Sequence, residues 1–195
     1  MTSGPDPDLT TVAVLLAAGA GTRFRGTTHK LLAPLRGRTV IDASLDAVGA
    51  AGFAHIIVVT GAVELPHALV DRPGVTVRHN PRWADGQATS VQVAVMAARD
   101  LHASAVIVGL ADQPFVTSDA WRAVAASDSP IAVATYDGER GNPVRLSHEV
   151  WPLLPTTGDR GARELMRLRP ELVREVACKG SAADIDTQED LAPWT

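Results

Sequence analysis

At 195 residues the chain is sized for one domain with a single large core. Apolar residues make up 46% and aromatics only 4%, so Ala, Val and Leu must fill that core, as they do where helices pack closely on a sheet. A net charge of −4 argues against electrostatic binding of nucleic acid, and one cysteine, Cys178, rules out a disulfide framework or a cysteine zinc site. Met1 to Thr11 is polar, without the charged and apolar regions of a signal peptide, and reads as a disordered tail ahead of one domain over 12–195. No apolar run approaches membrane-spanning length, so a cytoplasmic protein with no membrane contact is expected.

The first element is an apolar run, Val12 to Leu16, that stops abruptly at Ala17-Ala18-Gly19-Ala20-Gly21 and is followed by Arg23, Arg25 and Lys30. A buried parallel strand reads this way, and the small residues after it let backbone N–H groups approach an anion. Neither generic nucleotide pattern fits. GxxxxGK[ST] would need Lys after Gly26, where Thr27 stands, and GxGxxG fails at Phe24. On these residues alone, an ordinary βα turn with solvated cations remains open. A helix follows from Thr39 as cap through Val40, Ala43 or Ser44, Ala47 and Val48 to Gly52. Next come a strand over His55 to Gly61, a short helix interrupted at Pro66, and a strand over Val75 to Arg78. Alternation of this kind predicts a parallel sheet with helices on its faces.

Asn80 to Ser90 forms a loop running into a helix that should bury Val91, Ala94, Val95, Ala98 and Leu101 on one face. Gln87, Thr89 and Ser90 make its start rich in donors, fit either for N-capping or for an anion. The most apolar strand, Ala105 to Leu110, ends at Ala111-Asp112-Gln113-Pro114. A carboxylate at the carboxyl end of a central parallel strand sits where open α/β sheets bind ligands, and Asp with phosphate is a usual way to hold Mg²⁺. The plainer alternative is a turn before Pro114. A helix over Ser118 to Ala126 and a strand over Ile131 to Tyr136 precede a turn and short extended piece, Asp137 to Leu146. Gly158 to Arg163 is a second glycine-rich, cationic turn, opening a helix over Ala162 to Leu168; a helix cap with surface arginines is its alternative. The acids from Asp184 to Asp190 ordinarily make a solvated tail, but Ile185 and Leu191 are apolar anchors within them. The histidines have no metal-ligand spacing, and no GxSxG elbow is present.

Leu16-Ala17-Ala18-Gly19, Gly21, Arg23, Gly26 and Lys30 resemble the LAAGxGxR…G…K signature of nucleotidyltransferases related to the molybdenum-cofactor cytidylyl- and guanylyltransferases, the MobA-like NTP transferases. The segment from Gly19 to Lys30 looks one residue longer than the commonest form, and Arg25 stands where a glycine is usual. Positive φ is therefore expected at Gly26, with Arg25 pointing outward. The resemblance continues through the Trp83, Gly86 and Ser90 segment, Leu110-Ala111-Asp112-Gln113-Pro114-Phe115, Gly141-Asn142-Pro143-Val144, Gly158-Asp159-Arg160-Gly161-Ala162-Arg163 and Asp184-Ile185-Asp186-Thr187.

It implies a three-layer Rossmann-like α/β nucleotidyltransferase domain with a mostly parallel sheet. Leu16, Ala17, Ala18, Gly19, Gly21, Lys30, Ser90 and Asp112 would bind the nucleotide. Arg23, Lys30 and Asp112 would be catalytic, and Asp112 and Asp186 would hold Mg²⁺. Gly141, Asn142, Pro143, Arg160 and Gly161 would line the acceptor side. The implied reaction transfers CMP from CTP to a phosphorylated acceptor, the molybdenum-pterin cofactor, with release of pyrophosphate. The expected partners are these small molecules and a molybdoenzyme or its chaperone, with the chain monomeric. Leu-Ala-Ala-Gly rather than Leu-Ala-Gly-Gly favours CTP over GTP. A guanylyltransferase, a sugar-phosphate nucleotidyltransferase and a non-catalytic nucleotide-binding regulatory module are the alternatives.

Overall fold

A computed structural model describes residues 10–25 and 28–194. The tail expected over Met1 to Thr11 therefore lies almost wholly outside the described residues, as does Gly26. Thr11 itself opens the first strand and pairs with Ala105, while the Thr10 carbonyl accepts from the Ser104 amide, so the sheet takes in the last residue of the expected tail. Among the described residues no helix is long and apolar enough to cross a membrane.

The chain runs through β1 (Thr11–Ala17), a small hairpin of β2 (Pro34–Leu35) and β3 (Arg38–Thr39), α1 (Val40–Ala50), β4 (Ile56–Thr60), α2 (His67–Val70) and β5 (Val75–His79). Then follow α3 (Gln87–Asp100), β6 (Ala105–Leu110), α4 (Ser118–Ala125), β7 (Ile131–Tyr136), β8 (Glu139–Ser147), α5 (Arg163–Leu168), β9 (Val173–Ala177) and α6 (Gln188–Leu191). Seven strands form one sheet in the order β5-β4-β1-β6-β8-β7-β9. Its ladders are parallel except the two that β8 makes, with β6 and β7.

Strand alternation divides the core into two layers. Ala13, Leu15, Val58 and Ile107 face α1 and α4, whereas Val12, Val14, Leu16, Val59 and Val108 face α3, α5 and Trp151. Helices on both faces of a mostly parallel sheet make the three-layer α/β fold. Thr39 caps α1 in a capping box with Asp42, and Gly52, at φ +87°, lies just past its end. The buried stripe of α1 is Val40, Ile41, Ser44, Leu45 and Val48, turned slightly from the expected one; Ala43 and Ala47 stay half-buried. Leu101, expected in the core, is instead 36% exposed, because α3 ends at Asp100 and the chain turns away through His102 at φ +53°.

The stretch read as a turn and a short extended piece is the long central strand β8. Its alternation is masked by Gly141, Pro143 and a register break: Val133 pairs with Val144, but Ala134 with Gly141, leaving Asn142 and Pro143 bulged out. β9 has no counterpart among the expected elements. As an edge strand it exposes Arg174, Glu175 and Ala177, so it carries no apolar run.

Gly109 sits in β6 against the fully buried Trp121, whose ring lies 2.6 Å from where a Cβ would stand. Gly109→Ala should destabilise the fold by about 1–3 kcal/mol through overpacking. Urea denaturation checks this, and an unchanged midpoint would show that Trp121 has room to move.

Candidate active site

The chain leaves β1 towards β4 by way of α1 on one face, and returns to β6, on the other side of β1, by way of α3 on the opposite face. The carboxyl ends of β1 and β6 thus flank a topological switch point, the usual ligand crevice of an open α/β sheet. The loop after β1 supplies Ala18 to Lys30 and the loop after β6 supplies Asp112.

The C-terminal segment completes this crevice. Ile185, fully buried, donates its amide to the Asp112 carbonyl (2.9 Å), which brings Asp186 beside Asp112. Lys30 Nζ then donates to Asp112 Oδ2 (2.5 Å) and Asp186 Oδ1 (2.8 Å), while Arg23 pairs with Asp186 Oδ2 (2.8 Å). Only 11% of the Lys30 side chain is exposed. Burial alone would lower its pKa, but the two carboxylates outweigh burial and hold the ammonium above its ordinary value. The other C-terminal acids have their own tasks. Asp190 caps α6 through Thr187 and the Asp186 amide, and Asp184 accepts from Gln113 Nε2 (2.8 Å). Burial and the nearby Asp112 push the Asp184 carboxyl up. These contacts replace the solvated-tail alternative.

Two carboxylates drawn onto one cation fit a hard divalent metal, since both offer anionic oxygens to the same point. Among the described residues no group of three or more His, Cys, Asp or Glu can hold an ion alone. A metal here would need oxygens from its substrate, as Mg²⁺ does when it is shared between one or two carboxylates and phosphates.

A cavity of about 370 Å³ opens beside Asp112. Leu16, Ala18, Gly19, Ser90 and Asp112 line it, joined by Ala20, Trp83, Gln87 and Asp159. Ala17 turns its methyl into the α1 side of the core and can offer only its backbone. Ser90 is buried within α3 and accepts from Asn80 Nδ2 (2.9 Å), so it does not cap the helix; Gly86 stands at the N-cap position. Among the described residues of the loop Gly21 has a left-handed φ, +62°, and Arg25 is exposed. His29 pins the loop: Nδ1 accepts from the Leu31 amide (3.3 Å), so Nε2 bears the proton and donates to the Gly19 carbonyl (3.2 Å). Burial keeps this imidazole below its usual pKa, in the neutral form the latch requires.

A second cavity, about 480 Å³, lies where the bulged part of β8 departs from β6. Gly141, Asn142, Arg160 and Gly161 line it, whereas Pro143 is not among its lining residues. Gln113 donates to Ala182 O and Asp184 and accepts from Asn142 Nδ2 (3.0 Å), so it braces the Asn142 wall of the second cavity and lies away from the first. Gln87 lines both cavities. The sequence marks Gln87 only as a donor at a helix start and Asp159 and Arg163 only as part of the second glycine-rich turn, and it gives no signal for Arg140, Met166 and Arg167 as lining residues. Their side chains meet only after α3, α5 and β8 have packed.

Comparison with known proteins gives the family and the fold. A family model described as the MobA-like NTP transferase domain matches residues 13–176. The chain is 30% identical over 203 residues to nicotine blue oxidoreductase of Paenarthrobacter nicotinovorans, covering 95% of this chain and 97% of that one. It is 30% identical over 195 residues to the purine catabolism protein PucB of Bacillus subtilis, covering 92% and 93%. The crystal structure of Rv0371c from Mycobacterium tuberculosis superposes with a TM-score of 0.78 at 28% identity, over 95% of this chain and 97% of that one. The same protein has also been solved in complex with manganese.

Proposed function

Because this chain belongs to the MobA-like NTP transferase family, we propose that it transfers CMP from CTP to a phosphorylated acceptor, releasing pyrophosphate. The observation that carries this reading is the pair of adjoining cavities sharing Gln87: one is walled by the glycine loop and Asp112, the other rimmed by arginines. Group transfer between two bound substrates needs such a pair, whereas a module that only binds nucleotide needs one. The proposed acceptor is the phosphate of the molybdenum-pterin cofactor, with a molybdoenzyme or its chaperone as recipient of the product. The chain is proposed to act as a monomer.

In this reading an acceptor phosphate oxygen forms a bond to the α-phosphorus of CTP as the bond from that phosphorus to the bridging oxygen breaks, and pyrophosphate leaves with the electron pair. The acceptor oxygen is ionised at neutral pH, so no side chain has to remove a proton. Catalysis is then positioning and charge neutralisation. Lys30 and Arg23 meet charge on the α- and leaving phosphates, and the glycine loop offers backbone amides. Asp112 and Asp186 would hold Mg²⁺, which when bound draws charge from the phosphate oxygens. Rv0371c has been solved in complex with manganese, which supports the use of a divalent ion. The oxidoreductase name belongs to the relative; in this chain Phe24 interrupts the dinucleotide pattern.

Ala18 supports the choice of base. It lines the first cavity, and its carbonyl accepts from the Ala62 amide (3.0 Å), so its methyl narrows the space at the end of β1 from a fixed backbone. The native chain should use CTP about tenfold or more better than GTP, a preference of ~1–3 kcal/mol, and Ala18→Gly should narrow it. The test is kcat/KM for pyrophosphate release with each nucleotide and one acceptor. Equal use of GTP by the native chain would remove the cytidylyl assignment, and nucleotide binding with no pyrophosphate release would favour the regulatory module.

A further inference from the structure

We propose that the arginine-rimmed cavity takes a phosphomonoester whose body next to the phosphate is apolar, with Arg163 as the phosphate anchor. This rests on the reading of that cavity as the acceptor side. Its floor is Val91, Val108, Val133, Val144, Leu146 and Met166, contributed by α3, β6, β7, β8 and α5. Hydroxyl groups placed against these side chains would lose their water partners without replacement, which is unfavourable for a sugar. Apart from the arginines of the rim, the polar side chains that line it are Gln87 and Asn142. Gln87 lies at the boundary with the first cavity, and the Asn142 amide nitrogen is already engaged by Gln113. An aromatic or otherwise unhydroxylated body loses little on entering and buries apolar surface.

The rim gives the charge of the head group. Arg140 is paired with Glu175 (2.8 Å), and Arg160 and Arg167 share Glu164 (3.4 and 2.7 Å). Arg163 has no acidic partner among the described residues. Four arginines against two glutamates leave an excess of two positive charges, which matches a phosphomonoester carrying about −1.5 to −2 at neutral pH. Arg163 is the rim cation that can approach a phosphate without first giving up a salt bridge, and its planar guanidinium suits bidentate contact.

The chain has three methionines, which provides a local probe. Met166 lines this cavity, whereas Met96 is 65% exposed on the outer side of α3. With methyl-13C methionine and no nucleotide present, 1-naphthyl phosphate and glucose 1-phosphate are titrated separately into the full chain. Naphthyl phosphate should shift the Met166 methyl, leave Met96 in place and bind at least tenfold more tightly than glucose 1-phosphate. Arg163→Ala should weaken naphthyl phosphate at least tenfold, with partial recovery in Arg163→Lys; the residue is exposed, so folding is not at stake. Comparable or tighter binding of glucose 1-phosphate, or no shift at Met166, overturns the apolar-body inference. Indifference to Arg163→Ala overturns the anchor. Pyrophosphate release from CTP is scored separately, so a chain that binds naphthyl phosphate but never transfers CMP fails the transfer reading alone.

Discussion

Asp112→Asn is expected to lower CMP transfer by two to three orders of magnitude, the usual consequence of losing about 3–4 kcal/mol of charge stabilisation at the reacting phosphate. Asn keeps the shape and can still accept from Lys30, and the backbone bond from Ile185 to the Asp112 carbonyl does not involve the side chain. The fold should therefore survive, with a Tm change of only a few degrees. The loss should appear in kcat, since the carboxylate would help to hold the ion on which transition-state charge depends. Asp186→Asn should act in the same direction but less strongly, because Arg23 also holds that carboxylate in the native chain. Steady-state pyrophosphate release and a thermal melt make the comparison. Turnover within fivefold of native for Asp112→Asn would mean that its carboxylate serves only to bind Lys30.

Gly86→Ala should be the most damaging single change to the architecture between the two cavities. Gly86 is at φ +105° and ψ 166°, a region essentially reserved for glycine. An added Cβ would stand 2.3 Å from the carbonyl carbon of Gly158 and 2.5 Å from its oxygen, and neither atom belongs to a side chain that can swing away. The loop carrying Gly158 is docked there by two backbone bonds, Ala88 N to Gly158 O and Gly158 N to Asp85 O, each 2.9 Å. Strain and displacement together should cost about 3 kcal/mol or more. For a chain of this size that lowers Tm by roughly 6–12 °C. Binding at the Arg160 and Gly161 wall should fall further than binding of CTP, because the displaced loop belongs mainly to the second cavity. A melt within 2 °C of native would show that the two loops part easily and that Gly86 does not set their spacing.

Much of this architecture was legible before folding. An apolar run cut off by glycines encodes β1 and its ligand loop locally, and the same logic places Asp112 at the end of β6. Thr39 and Gly52 bound α1 by cap chemistry that needs no neighbours. The acids around Ile185 could be recognised as more than a tail because an apolar anchor sat among them. Periodicity was less reliable where an element's environment departs from its pattern. The exposed edge strand β9 carries no apolar signal, the bulge at Asn142 and Pro143 hides the central strand β8, and Leu101 follows the helical stripe of α3 one residue beyond where the helix stops.

What the tertiary structure alone decided is who meets whom across the chain. Lys30 is 82 residues from Asp112 and 156 from Asp186, yet one ammonium bridges both, because β1 and β6 are neighbours and the Ile185 amide closes on the end of β6. The second cavity combines a bulge in β8, the start of α3 and the arginines around α5, three features that no short window contains. Local patterns determine which segments are strands, helices and turns, since φ/ψ preference and side-chain period act over a few residues. Ion clusters and cavities arise from the order in which strands line up in the sheet, which depends on burying both of its faces at once.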